Sequence, residues 1–287
     1  MRTIKQVLSV QRGHWVGDGF PVRSMFAERS FTRAISPFLM MDYGGPVKFD
    51  PTTQRRGVGQ HPHKGFETVT IVYSGGVEHA DSVGNRGEIG PGDVQWMTAA
   101  KGIVHEEFHS TEFARTGGEF EMIQLWVNLP AKDKLVDPAY QAINDADIPV
   151  VDLPGGGVRV RVIAGDFGGV RGAASTFTPI NLWDLKIMRG RDVDLDVPDG
   201  HNALLFVMHG GVEVSGRTLG RGELAIFEAS GGSFQVHATD DTVAILLSGV
   251  PIDEPIAARG PFVMNTTAEL RQAMSEYQTG QMGSISR

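Results

Sequence analysis

The sequence predicts an all-β protein of two similar barrels in tandem, finished by a short C-terminal helix. Three observations predict it. Short β-branched and aromatic segments are cut by Gly, Pro, Asn and Asp turns, a glycine-rich block recurs in the second half, and one helix-start pattern stands near the C-terminus. At 287 residues, with 37 Gly, 15 Pro and only 8% aromatics, the chain is long enough for two ordinary domains with cores of their own.

The strands come first. Phe66 to Tyr73, FETVTIVY, is β-branched with a period of two, and Glu121 to Leu129, EMIQLWVNL, alternates Ile123, Leu125, Val127 and Leu129 against Met122, Gln124 and Trp126. The repeat follows from laying SGGVEHADSVGNRGEIGPGDVQWM, from Ser74, over HGGVEVSGRTLGRGELAIFE, from His209. Gly75 and Gly76 meet Gly210 and Gly211, 135 residues on, and Gly92 meets Gly222, 130 residues on. Two barrels at this spacing place the boundary in the Pro/Asp/Gly-rich stretch Asn144 to Gly157. The expected domains are 1–150, carrying a metal site, and 151–287, a degenerate copy with the terminal helix. Thr266 to Glu269 reads as a capping box, and Leu270, Ala273, Met274 and Tyr277 form an apolar stripe stopped by Gly280. That helix is expected to clasp a barrel.

Composition removes whole classes of function. With no cysteine, disulfides, thiolate metal sites and cysteine nucleophiles are excluded, and any metal must rest on His, carboxylate, amide or water. The formal charge is −8, from 26 basic and 34 acidic side chains, and the basic residues are scattered. A nucleic-acid face, which needs clustered Lys and Arg, is not expected. The start, MRTIKQVLSVQRGHWVGDGF, has no continuous apolar core, and no stretch approaches the roughly 18 apolar residues of a membrane span, so the expectation is a cytoplasmic protein.

Chemistry concentrates in two short segments. Side chains alternate along a strand, so His61 and His63 in QHPHKGFE project to one side, as do His105 and Glu107 in GIVHEEFH. Three imidazoles and a carboxylate converging on a barrel wall suit one divalent first-row metal with coordination positions left open. Pro62 stiffens the first pair, and the Gly90, Pro91, Gly92, Asp93 turn lets a later strand bring the second pair opposite. The repeat offsets put Asp196 and Pro198 where His61 and His63 stand, and Gln235 and His237 where His105 and Glu107 stand. Proline has no ligating side chain, so one metal per chain is expected. His79 is a candidate for lining or capping the cavity, His109 shares the parity of His105 and Glu107 although four ligands are already counted, and His14 reads as a structural loop residue.

HPHKGFETVT, GGVEHADSVGN, GDVQWMTAAKGIVHEE and LWVNLP closely resemble the pirin family of the cupin superfamily, as do GFPVRSMF, ISPFLMMDYGGP and GPFVMNTTAEL. The resemblance covers nearly the whole chain. It implies two cupin barrels of the double-stranded β-helix, or jelly-roll, kind. It also implies ligands at His61, His63, His105 and Glu107, and Fe(II) as the metal, with Mn, Co, Ni, Cu and Zn as alternatives. Glu67, a ligand position in the wider superfamily, is then expected beside the site rather than on the metal. The activity implied is a quercetin 2,3-dioxygenase, acting on a flavonol-like aromatic and O2, with Glu107 as ligand and as acceptor of the substrate's 3-hydroxyl proton. The alternative is a metal or redox sensor that binds a transcription factor or metabolic enzyme. Phe38, Met40, Trp96, Met97 and Phe108 are the candidate walls of an apolar slot.

Overall fold

The computed structural model describes residues 2–9, 12–27 and 34–286. These form two compact β units, and each unit contains a seven-stranded and a four-stranded antiparallel sheet. The first barrel comprises residues 12–27, 38–145 and 252–286. The second comprises 2–9, 34–37 and 146–251.

The chain divides between Asp145 and Ala146, within the expected boundary stretch, but a single cut into 1–150 and 151–287 does not describe it. Both ends cross over. Strand Ile4–Ser9 hydrogen-bonds to Glu223–Phe227 and forms the edge of the second barrel's large sheet. The corresponding edge of the first barrel is supplied by Ala139–Ile143, paired with Val94–Thr98. The cause is the edge itself, because an exposed row of N–H and C=O groups is stabilised by whichever segment pairs with it.

The terminal segment joins the first barrel through the expected helix, Thr267–Gln278, whose capping box forms between Thr266 and Glu269. Leu270 and Ala273 are buried with Val104, Phe262, Met264 and Met282, while Tyr277 at the end of the stripe is largely exposed. A second, shorter helix, Thr111–Thr116, starts at the Ser110 cap and ends at Gly117.

The predicted strands appear as Phe66–Ser74 and Gly118–Asn128. The repeat holds at the level of register. Val69 faces Trp96 and Ile71 faces Val94 in the first barrel, while Leu204 faces Ile226 and Phe206 faces Leu224 in the second. The interiors differ. A continuous apolar cluster that includes Val193, Leu195, Val197, Phe234 and Val236 fills the second barrel. In the first, His63, Thr70, Gln95, His105 and Glu107 are buried polar residues.

Candidate metal centre

Strand Gly57–His63 runs antiparallel to Ile103–His109, with His61 opposite His105 and His63 opposite Ile103. Opposed residues of an antiparallel pair share a face, so the three histidines meet on one wall. A register shift between His105 and Glu107 marks a bulge, a device that re-aims a side chain.

The donor atoms of His61, His63 and His105 all lie within 4.8 Å of one another. Their ring centroids are 4.3, 4.8 and 4.9 Å apart. The Glu107 Oε2 atom stands 3.9 Å from His105 Nε2. Its carboxylate also reaches the opposite sheet, where it accepts from Gln124 Nε2 at 3.2 and 3.3 Å and from Thr70 Oγ1 at 3.5 Å. The structure thus gathers the three histidines singled out in the sequence, with the Glu107 carboxylate 3.9 Å from one of them.

The ring nitrogens point to what the cluster can hold. His61 Nδ1 donates to the Gly59 carbonyl at 2.9 Å, which leaves the Nε2 lone pair free. His63 is 4% exposed and His105 is fully buried, yet among the described residues His63 Nδ1 and both nitrogens of His105 have no hydrogen-bond partner. Each such buried polar atom costs about 1–3 kcal/mol. A metal ion that accepts imidazole lone pairs removes much of that cost, so the donor set fits a divalent first-row metal.

Electrostatics prepare the same atoms. Burial, reinforced by the neighbouring His61, pushes His63 and His105 well below the usual imidazole range, although the Pro261 carbonyl opposes the shift at His63. Both are neutral at physiological pH, with lone pairs available. Burial raises Glu107, while His61, Gln124 and Thr70 act to hold it ionised.

Other residues complete the wall. His79 lies opposite Glu107 in the register and stacks on Tyr140 with centroids 5.4 Å apart. The Tyr140 hydroxyl donates to Met97 Sδ at 2.8 Å. Trp126 sits 5.3 Å from His63 and 4.3 Å from Phe66. Gln124, Thr70, Tyr140 and Trp126 were missed as neighbours of the site. The signal for two of them was the Met122, Gln124, Trp126 side of strand Gly118–Asn128, where a glutamine interrupts an otherwise apolar run.

Several expectations need correction. Phe108 has the opposite parity to Glu107, and its ring lies under the Arg55 guanidinium at 3.7 Å, so it is no wall of this site. His109 donates to the Gly19 carbonyl at 2.8 Å and packs among Phe49, Phe113 and Phe120. His14 belongs to a short strand, His14–Val16, rather than a loop. Glu67 is buried, accepts from Thr98 Oγ1 at 2.7 Å, and is raised by burial to about 7 against the pull of that bond.

The repeat register also slips by one residue in the second barrel. Val212 pairs with Ala238 there, where Val77 pairs with His109 in the first, so Gln235 and His237 face outward and bond to Asp194 and Asp192. Asp196 and Pro198 are likewise exposed, and the inward positions are Val193, Leu195, Val197, Phe234 and Val236. A one-residue slip exchanges the two faces of a strand. The second barrel's interior is therefore more thoroughly without donors than the sequence alignment implied.

Residues 19–127 match the Pirin family and residues 182–283 match the Pirin C-terminal cupin domain. A Pseudomonas aeruginosa protein, whose name gives quercetin 2,3-dioxygenase as a provisional activity, is 50% identical over 280 residues, covering 96% of this chain and 98% of its own. A pirin-like protein of Solanum lycopersicum is 36% identical, covering 98% of this chain and 92% of its own. The crystal structure of a quercetin 2,3-dioxygenase from Acinetobacter baumannii superposes with a TM-score of 0.97 at 48% identity, over the whole of both chains. Escherichia coli pirin YhhW, solved with nickel(II), shares the fold at 19% identity and a TM-score of 0.66, over 86% of this chain and 99% of its own. With both cupin halves matched and relatives aligned along nearly its full length, the chain belongs to the pirin family of bicupins.

Proposed function

We propose that this chain is an oxygenase of the quercetin 2,3-dioxygenase type, built on one metal ion held by His61, His63, His105 and Glu107 in the first barrel. The observation that carries the reading is the set of three histidines whose donor atoms converge within 4.8 Å, with buried ring nitrogens that no described residue satisfies. The names of the Pseudomonas and Acinetobacter relatives support the substrate class. A three-imidazole, one-carboxylate set suits Fe(II), while Mn, Co, Ni, Cu and Zn accept the same donors. When bound, the metal supplies Lewis acidity and a meeting point for a flavonol's adjacent oxygens and O2.

The chain's own residues do the remaining work. In this reading Glu107, raised by burial and bonded by Gln124 and Thr70, takes the flavonol 3-hydroxyl proton. Trp126, beside His63, is the aromatic surface available to the substrate ring in this reading. One O2 is consumed, the central ring opens, and carbon monoxide leaves.

Anaerobic loading with Fe(II), followed by assay of quercetin loss and carbon monoxide release, tests the reading. The wild type is expected to turn over flavonol, and His63→Ala to lose at least about a hundredfold in rate, the scale of removing one essential electrostatic element. Fully loaded wild-type protein that leaves quercetin and related flavonols untouched overturns the activity.

A further inference from the structure

The two residues that flank the His61-Pro62-His63 segment are both tied to the last part of the chain. On one side, Gln60 exchanges two hydrogen bonds with the backbone of Ile285: its Nε2 donates to the carbonyl at 3.0 Å, and its Oε1 accepts from the amide at 3.2 Å. On the other side, the Lys64 amide donates to the Pro261 carbonyl at 3.2 Å, and its carbonyl accepts from Val263 at 3.0 Å. The Lys64 side chain is almost fully buried. Its Nζ donates to Glu276 Oε2 in the C-terminal helix at 2.7 Å and to the Lys101 carbonyl at 2.6 Å.

The next residue is held as tightly. Gly65 has a φ of +88°, and a Cβ there would stand 2.0 Å from the Val263 carbonyl. Lys134 Nζ, also buried, bridges the carbonyls of Gly65 and Val263 at 2.6 and 3.0 Å and bonds Asn128 Oδ1 at 2.7 Å. The strand bearing His105 is reached too, since Ser82 Oγ donates to the Met282 carbonyl at 2.7 Å and accepts from the Val104 amide at 3.1 Å.

We propose that the C-terminal segment fixes the geometry of the histidine donor set, with Gln60, Lys64 and Glu276 as positioning residues that act on the metal through His61 and His63. The inference rests on the metal reading above. Few of these bonds are needed merely to seat a helix, whose apolar face is already buried. They converge instead on the backbone of the segment that carries two of the donors, and partners of this kind typically change metal affinity by about ten- to a hundredfold.

Cobalt(II) titration of the full-length protein tests it, with the visible absorption of bound Co(II) reporting coordination geometry. Glu276→Gln and, independently, Gln60→Ala are each expected to weaken Co(II) binding about tenfold or more and to alter the absorption spectrum. Far-ultraviolet circular dichroism should stay unchanged. Glu112→Gln, at an exposed pair with Arg115 on the other helix, should match the wild type in both readouts. Gln60→Ala keeps the test decisive if Glu276→Gln fails to fold, because it removes no buried charge. Affinities within twofold of wild type in the folded variants overturn the positioning role alone. A wild type that binds no Co(II) overturns the metal reading and this inference together.

Discussion

Glu67 is a carboxyl group in a setting that disfavours its charge. Burial raises it to about 7, well above the range of a glutamate in an unfolded chain. Between the two values the folded protein binds the extra proton, so this group's contribution to stability is present at low pH and is lost as pH rises toward 7. Glutamine is neutral throughout and keeps an acceptor for Thr98. In metal-free protein, Glu67→Gln is therefore expected to exceed the wild type by roughly 3 kcal/mol at pH 8 in urea unfolding, with the gap closing below about pH 4. A gap that does not change with pH would rule out this assignment. His61, His63, His105 and Glu107 were legible because two-residue spacing alone sets a shared face. Gln124, Thr70 and Lys134 were not, since their roles come from strands distant in sequence, and only the register says which side chains meet.

Elements carry their signals unevenly. The helix Thr267–Gln278 was written into the chain by its Thr266 and Glu269 caps, and both reciprocal bonds form. Thr266→Ala should cost about 1 kcal/mol. Amide exchange should localise that loss to the helix and to the Lys64 amide it helps hold down, whereas uniform loss across the barrel would count against a local cap. The short helix Thr111–Thr116 had a comparable start and stop in Ser110 and Gly117 but too few residues for an apolar stripe to stand out. In the second barrel, glycine alignment found the right strands and missed the face by one residue. Hairpin glycines fix turns, while a turn shortened by a few residues leaves the following register open.

At the scale of the molecule, two barrels and one candidate metal centre among the described residues lead to a count. The purified protein should bind one equivalent of divalent metal, and at a free concentration a hundred times Kd the metal should stabilise it by about 2.7 kcal/mol. Elemental analysis and thermal melts with and without metal check both parts. Two equivalents per chain would mean donors in a second barrel whose inward positions are apolar. Repetition was plain from the sequence, but the exchange of ends was not, because edge pairing leaves no mark in a strand's own residues. That exchange has a consequence for the order of events during synthesis. Pro261 and Val263, which brace His63 and Lys64, are made about 200 residues after them. At about 5–20 residues per second the ribosome needs roughly 10–40 s to reach them. The histidines of the first barrel therefore gain their final bracing only after residues 146–251 of the second barrel have been made.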